Sequence, residues 1–147
     1  MIRRMTEDDI PDVLELMRTL RDESPVFSRY PADEPYVREQ LSLMVHSPIH
    51  IMLIDDFSRG VMFGCTTNPW WSPYYEANEM LLAVFPAYRN SSVAARLIRE
   101  FEQECVRRGC RAINVGANLG IDDDIAEALY RRLGYTTFGH ALTKRLD

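Results

Sequence analysis

Apolar residues at Ile10, Val13, Leu14, Met17 and Leu20 recur at the three-to-four-residue spacing of one helix face. A short strand over 2–5 precedes them. Thr6, followed three residues later by Asp9, resembles a capping box with Asp in place of the usual Glu or Gln. Pro11 falls in the first turn, where a missing N–H is tolerated. Prolines and acids then break the period over 21–36. Val37, Leu41 and Met44 restore it, predicting a second helix over 36–45 that Pro48 stops.

The pattern changes from helical to extended at Ile49. Runs over 49–54 and 61–67, joined by the turn at 55–60, predict a β-hairpin. A loop dense in aromatics follows over 68–75. The run over 79–85 is almost continuously apolar, as in a central strand covered on both faces. Val93, Ala94, Leu97, Ile98, Phe101 and Cys105 form the apolar stripe of a long helix closing at Gly109, with Arg107 and Arg108 placed favourably at its negative end. A strand over 111–115 leads to a helix headed by Asp122, Asp123 and Asp124 and ended by Gly134. Two last strands are predicted over 135–138 and 140–146. This order predicts a single domain over 1–147 of mixed α/β class, with helices on the faces of one sheet.

Composition fits that picture. The chain has 147 residues, 46% of them hydrophobic and 27% charged, the proportions of a globular domain. The net charge of −5 lacks the basic excess on which non-specific nucleic-acid binding depends and suits a cationic partner such as an amine. The odd count of three cysteines argues against a disulfide framework, and Cys105 and Cys110 lack the second pair a zinc site needs, so no metal is expected. The longest apolar run spans 80–85, far short of the roughly 20 residues of a membrane span. A cytoplasmic protein away from the membrane is the expectation.

Candidate chemistry concentrates at the junction after the 79–85 strand. Asn90, Ser91, Ser92, Val93, Ala94 and Ala95 begin a helix, and helix N-termini offer unpaired N–H groups to anions. Ordinary helix capping by Ser91 or Ser92 explains the same residues.

The run Leu-Ala-Val-Phe-Pro-Ala-Tyr-Arg-Asn-Ser-Ser-Val-Ala over 82–94 resembles the acyl-CoA signature of the GNAT superfamily of N-acyltransferases. That signature is an apolar strand ending in Val-x-Pro, an aromatic, then Arg/Gln-x-x-Gly-x-Gly/Ala. Arg89 fills its Arg/Gln position and Ala94 its last; Ser92 stands where the first Gly is usual. Residues 128–135 are similar to the family's Ala-x-x-Tyr-x-x-x-Gly-Phe/Tyr segment. The resemblance implies a central, mostly antiparallel mixed sheet flanked by about four helices. It also implies acetyl-CoA as co-substrate and an acetyl group moved to a small-molecule or peptide amine attacking directly in a ternary complex. Leu82, Ala83 and Val84 would pair with the pantetheine arm, residues 89–95 would hold the pyrophosphate, and Tyr130 would be the general acid.

The family's frequent general base, six residues before the Val, is replaced by Asn78. Glu79 is the preferred substitute, with Glu76 or a water chain as alternatives. By simple alternation Glu76 shares the face of Asn78 and Glu79 takes the other, unless a bulge intervenes. The family's Asn seven residues before its Tyr is replaced by Asp123, the nearest Asn being Asn118. Trp70, Trp71, Tyr74 and Tyr75 are candidates for stacking on an acceptor. They equally suit a cap on the sheet or the contact of a homodimer. The departures at Asn78 and Ser92 also leave a rival reading, a non-catalytic module on the same fold that binds CoA or a protein.

Overall fold

The computed structural model describes residues 1–147. Strands β1 (Ile2–Arg4), β2 (His50–Asp55), β3 (Gly60–Thr67) and β4 (Glu76–Val84) pair antiparallel in sequence order, and β5 (Ile113–Asn114) joins β4 in parallel. The β2–β3 hairpin runs in the register Ile54↔Val61 to His50↔Cys65. Helices α1 (Ile10–Glu23) and α2 (Glu34–Val45) cover one face, where Val13, Leu14, Leu20 and Leu41 pack with Phe63, Leu81 and Ala83. On the other face, α3 (Val93–Arg107) and α4 (Asp123–Arg132) pack against Ile51, Leu53, Met62 and Val84. Leu97, Ile98 and Phe101 of α3 are fully buried there, each side chain worth about 1.5–3 kcal/mol relative to exposure. The mixed sheet, mostly antiparallel, and the four α-helices match the predicted class.

Local signals explain several boundaries. The Thr6 N–H donates to the Asp9 carboxylate at 2.8 Å, as the capping pattern requires, although the turn it closes is a 3₁₀ turn before α1. Helix α2 begins two residues earlier than expected, because the Asp33 carboxylate accepts from the Tyr36 amide at 3.0 Å and Pro35 is harmless in a first turn. Gly134 adopts φ 97° after α4, the left-handed closure that glycine takes without strain.

Three expectations are corrected. Strand β4 begins at Glu76, since Glu76 and Ala77 pair with Thr67 and Thr66 of β3. Strand β5 contracts to two residues, because the chain separates from β4 after Asn114. The two last strands do not form: residues 136–147 carry no regular secondary structure, and Phe138 and Leu142 are almost fully exposed. A two-residue neighbour offers too short a ladder to hold further strands.

A β-bulge at Met80 sets the geometry of the site. Phe63 pairs with Leu81, whereas the next residue, Gly64, pairs with Glu79. Residues on either side of an extra residue no longer follow simple alternation. Ala77 and Glu79 therefore share the α3 face with Leu82 and Val84, while Glu76 and Asn78 share the α1–α2 face with Leu81 and Ala83. Gly64 makes this packing feasible. A Cβ there would lie 2.5 Å from the Phe101 ring and 2.8 Å from the Asn78 carbonyl oxygen.

Candidate active site

The β4–β5 pairing spans only Ala77↔Ile113 and Asn78↔Asn114. Beyond it the two chains diverge, and the flank of β4 that faces β5 has no strand partner. The seam between residues 79–84 and the segment after β5 is thus a slot without ladder hydrogen bonds. The Glu79 carboxylate crosses it and accepts the Gly116 N–H at 3.1 Å. Burial pushes the Glu79 carboxyl up to about 7; the Gly116 and Leu82 amides oppose that rise.

Tyr130 approaches the slot from α4. It is 4% exposed, and its hydroxyl is buried without a hydrogen-bond partner. Burial raises its pKa well above the usual phenol range, and the charges of Glu79 and Tyr135 add to the effect. The Tyr135 ring meets Tyr130 edge-on at 5.1 Å between centroids and fixes its orientation. One side of the slot thus holds a carboxyl that titrates near neutrality and a phenol that stays protonated. Such a pair can accept one proton and give another.

The C-terminal end of this flank of β4 leads into the turn before α3. Pro86–Tyr88 forms a 3₁₀ turn, and α3 starts at Val93. The Val93 amide donates to the Ser91 hydroxyl at 3.3 Å, but the amides of Asn90, Ser92, Ala94 and Ala95 make no hydrogen bond within the protein. They form a cluster of free donors at the positive end of a 15-residue helix. The Ser92 side chain makes no capping hydrogen bond.

Arg89 behaves differently from its neighbours in the signature. Its Nε donates to the Val84 carbonyl at 3.0 Å, and both terminal nitrogens donate to the Glu23 carboxylate at 2.6 Å. The guanidinium holds Glu23 below the usual carboxylate range. Its side chain is committed to tying the end of α1 to the end of β4. A second tie lies alongside: the buried Ser24 hydroxyl donates to the Leu119 carbonyl. Asp123, at the position of the family's Asn, accepts the Gly120 amide at 3.1 Å and so holds the same loop against α4. Asn118 is exposed.

The predicted acceptor residues separate. Between α1, α2 and their connecting loop lies a cavity of about 310 Å³, floored by Leu14, Met17 and Phe27 and rimmed by Tyr30 and Tyr36. Trp70, Trp71, Tyr74 and Tyr75 do not line it. They sit on the β3–β4 connection, Trp70 almost wholly in solvent, and Tyr74 stacks under the Arg111 guanidinium at 3.8 Å. Gly116 and Asn114 also shape the site, and sequence reasoning missed them. Glu23 stands out in the sequence only as one of the acids over 21–36 that could attract an amine; its pairing with Arg89, 66 residues away, leaves no local signal. Gly116 lies in a Gly-x-x-x-Gly stretch too sparse to mark a motif.

Residues 14–135 match the model of the acetyltransferase (GNAT) family. The fold is similar to that of an aminoglycoside acetyltransferase from an uncultured soil metagenomic sample, at 20% identity and a TM-score of 0.75, covering 100% of this chain and 98% of that one. It is also similar to the aminoglycoside antibiotic 6′-N-acetyltransferase of Acinetobacter haemolyticus, at 19% identity and a TM-score of 0.73, covering 100% and 99%. A putative acetyltransferase from Agrobacterium tumefaciens superposes at a TM-score of 0.78 with 15% identity, covering 99% of both chains. At such identities the likeness concerns the fold alone.

Proposed function

The chain belongs to the acetyltransferase (GNAT) family, and on that premise we propose that it moves an acetyl group from acetyl-CoA to a primary amine by direct attack in a ternary complex. The observation that carries this reading is the buried, unpartnered Tyr130 hydroxyl of α4 within electrostatic reach of the Glu79 carboxyl, which is poised near neutrality on the stretch of β4 that β5 leaves unpaired. A buried hydroxyl without a partner costs about 1–3 kcal/mol. A ligand atom in the slot would remove that cost.

Three features suit acetyl-CoA. The unpaired flank of β4 at Leu82, Ala83 and Val84 offers main-chain groups to the amides of a pantetheine arm. The free amides of Asn90, Ser92, Ala94 and Ala95 suit a diphosphate, with Ser91 and Val93 completing the turn. Arg89 contributes by fixing that turn through Val84 and Glu23, not by a direct contact with phosphate.

In the reaction the amine nitrogen forms a bond to the thioester carbonyl carbon, and the carbon–sulfur bond breaks. The acceptor, whose ammonium form has a pKa near 10, first loses a proton to solvent, and the neutral amine attacks; its nitrogen turns cationic and strongly acidic as the new bond forms. Glu79, ionised at and above neutrality, takes that proton. Tyr130 gives its proton to the departing thiolate, and the products are an amide and free CoA. Positioning the two reactants supplies up to roughly 7–11 kcal/mol, and the base a further 10²–10⁴-fold. The acceptor reaches the slot from the α1–α2 face, where the 310 Å³ cavity offers apolar and aromatic contacts. The fold neighbours named for aminoglycosides are consistent with a small-molecule amine.

The test is release of free thiol from acetyl-CoA in the presence of a broad amine panel, with calorimetry of acetyl-CoA alone. Binding followed by amine-dependent thiol release is expected. Binding without turnover on any amine would favour the rival, a non-catalytic CoA-binding module, and no binding at millimolar acetyl-CoA would defeat the transferase reading and leave only a protein-binding module.

A further inference from the structure

The Met80 bulge puts Glu79 on the α3 face and leaves a second carboxylate, Glu76, on the opposite one. There Glu76, Asn78 and Asn114 make a polar strip across β4 and β5. The Asn114 amide nitrogen donates to Glu76 Oε2 at 3.2 Å and to Asn78 Oδ1 at 3.1 Å, and the Asn78 amide nitrogen donates to Thr67 Oγ1 at 3.4 Å. Both N–H bonds of the Asn114 amide are thereby used within the strip, and one of the two on Asn78. What remains on Glu76 and Asn114 is acceptor capacity only: Glu76 Oε1 and Asn114 Oδ1. Glu76 also has no cationic partner, in contrast to Glu23, Glu34 and Glu104, each of which is paired with an arginine.

An oriented, unpaired carboxylate beside a free amide carbonyl matches a group that carries several donors and a positive charge. The strip lies where the β4–β5 ladder ends, on the α1–α2 face from which the acceptor is proposed to enter.

We propose that Glu76, oriented by Asn114, anchors a second, non-reacting ammonium group of the acceptor, so that the enzyme selects amines carrying a second, cationic nitrogen. This rests on the transferase reading and adds a substrate class to it. Flexible polyamines and amino sugars share that chemistry. The Glu76 contact is made equally before and at the transition state, so it acts on acceptor KM.

The experiment compares α,ω-diamines of increasing length with n-alkylamines of the same carbon number, and adds 2-deoxystreptamine as a rigid amino-sugar-like diamine. For the wild type, kcat/KM for the best diamine should exceed that of its matching alkylamine at least tenfold. In Glu76→Gln that ratio should fall at least fivefold through diamine KM, with thermal midpoint and acetyl-CoA affinity retained. Asn114→Leu, which removes the orienting amide, should lower the ratio in the same direction. A preference for the rigid diamine assigns the site to amino sugars, and a preference for the flexible series assigns it to polyamines. Equal use of diamine and alkylamine by the wild type, or an unchanged ratio in Glu76→Gln, overturns the proposal. An equal loss on both amines, the mark of a general base, overturns it too. Acetyl-CoA binding without thiol release on any amine is the separate failure of the transferase reading.

Discussion

Arg89 grips Glu23 through two hydrogen bonds of 2.6 Å and at the same time holds the carbonyl of Val84. One side chain thus locks the turn into α3 to the end of α1, and the loop that follows α1 lines the 310 Å³ cavity. The pair is partly exposed, so its contribution to stability is small, about 0–1 kcal/mol. Its effect should fall on ligand binding. Glu23→Gln is expected to weaken acetyl-CoA binding three- to tenfold by calorimetry while shifting the thermal midpoint by no more than a few degrees.

Removing the Tyr130 hydroxyl separates function from stability. Tyr130→Phe deletes a buried group that has no partner, so the folded protein should be as stable as the wild type or more so. Turnover should fall about 10²-fold or more, the typical worth of a positioned acid, with acetyl-CoA affinity kept. A stable variant with wild-type turnover would remove Tyr130 from the mechanism.

Glu79 links activity to pH and stability to pH with opposite signs. Its folded-state value of about 7 lies above its ordinary 4.5, so folding favours the protonated form. The resulting penalty is absent below the unfolded value, grows as pH rises through the window from 4.5 to 7, and is constant above it. Its size is roughly 1–3 kcal/mol. As the proposed base, in contrast, Glu79 works only when ionised, so kcat/KM for the neutral amine should rise with pH and level off above about 7. Glu79→Gln should flatten that limb, cost about 10²–10⁴-fold in rate, and raise the thermal midpoint at pH 8 but not at pH 4.

How much of this was legible in the sequence depends on the range of each interaction. Helix periods, the Thr6–Asp9 cap and the β2–β3 hairpin are local and were read directly. The Leu82 and Tyr130 segments were located by family resemblance. The direction of Glu79 depended on one extra residue, Met80, whose bulge is fixed by pairing with β3 and by Phe101 lying over Gly64. No periodicity within β4 encodes that. The Glu23–Arg89 and Ser24–Leu119 ties were invisible for the same reason. The predicted terminal strands failed because a strand exists only with a partner, and β5 ends after two residues.

The bulge itself can be tested. Gly64→Ala would place a methyl group 2.5 Å from the Phe101 ring, which cannot retreat from a closed core. A loss of about 1–3 kcal/mol is expected in chemical denaturation, together with reduced turnover as Glu79 is displaced.

A structure of the acetyl-CoA complex tests the central claim most directly. The diphosphate should lie within hydrogen-bond distance of the Ser92, Ala94 and Ala95 amides, the pantetheine amides should pair along Leu82–Val84, and the sulfur should meet the Tyr130 hydroxyl. Coenzyme bound elsewhere, or a slot left empty at millimolar acetyl-CoA, would contradict the account.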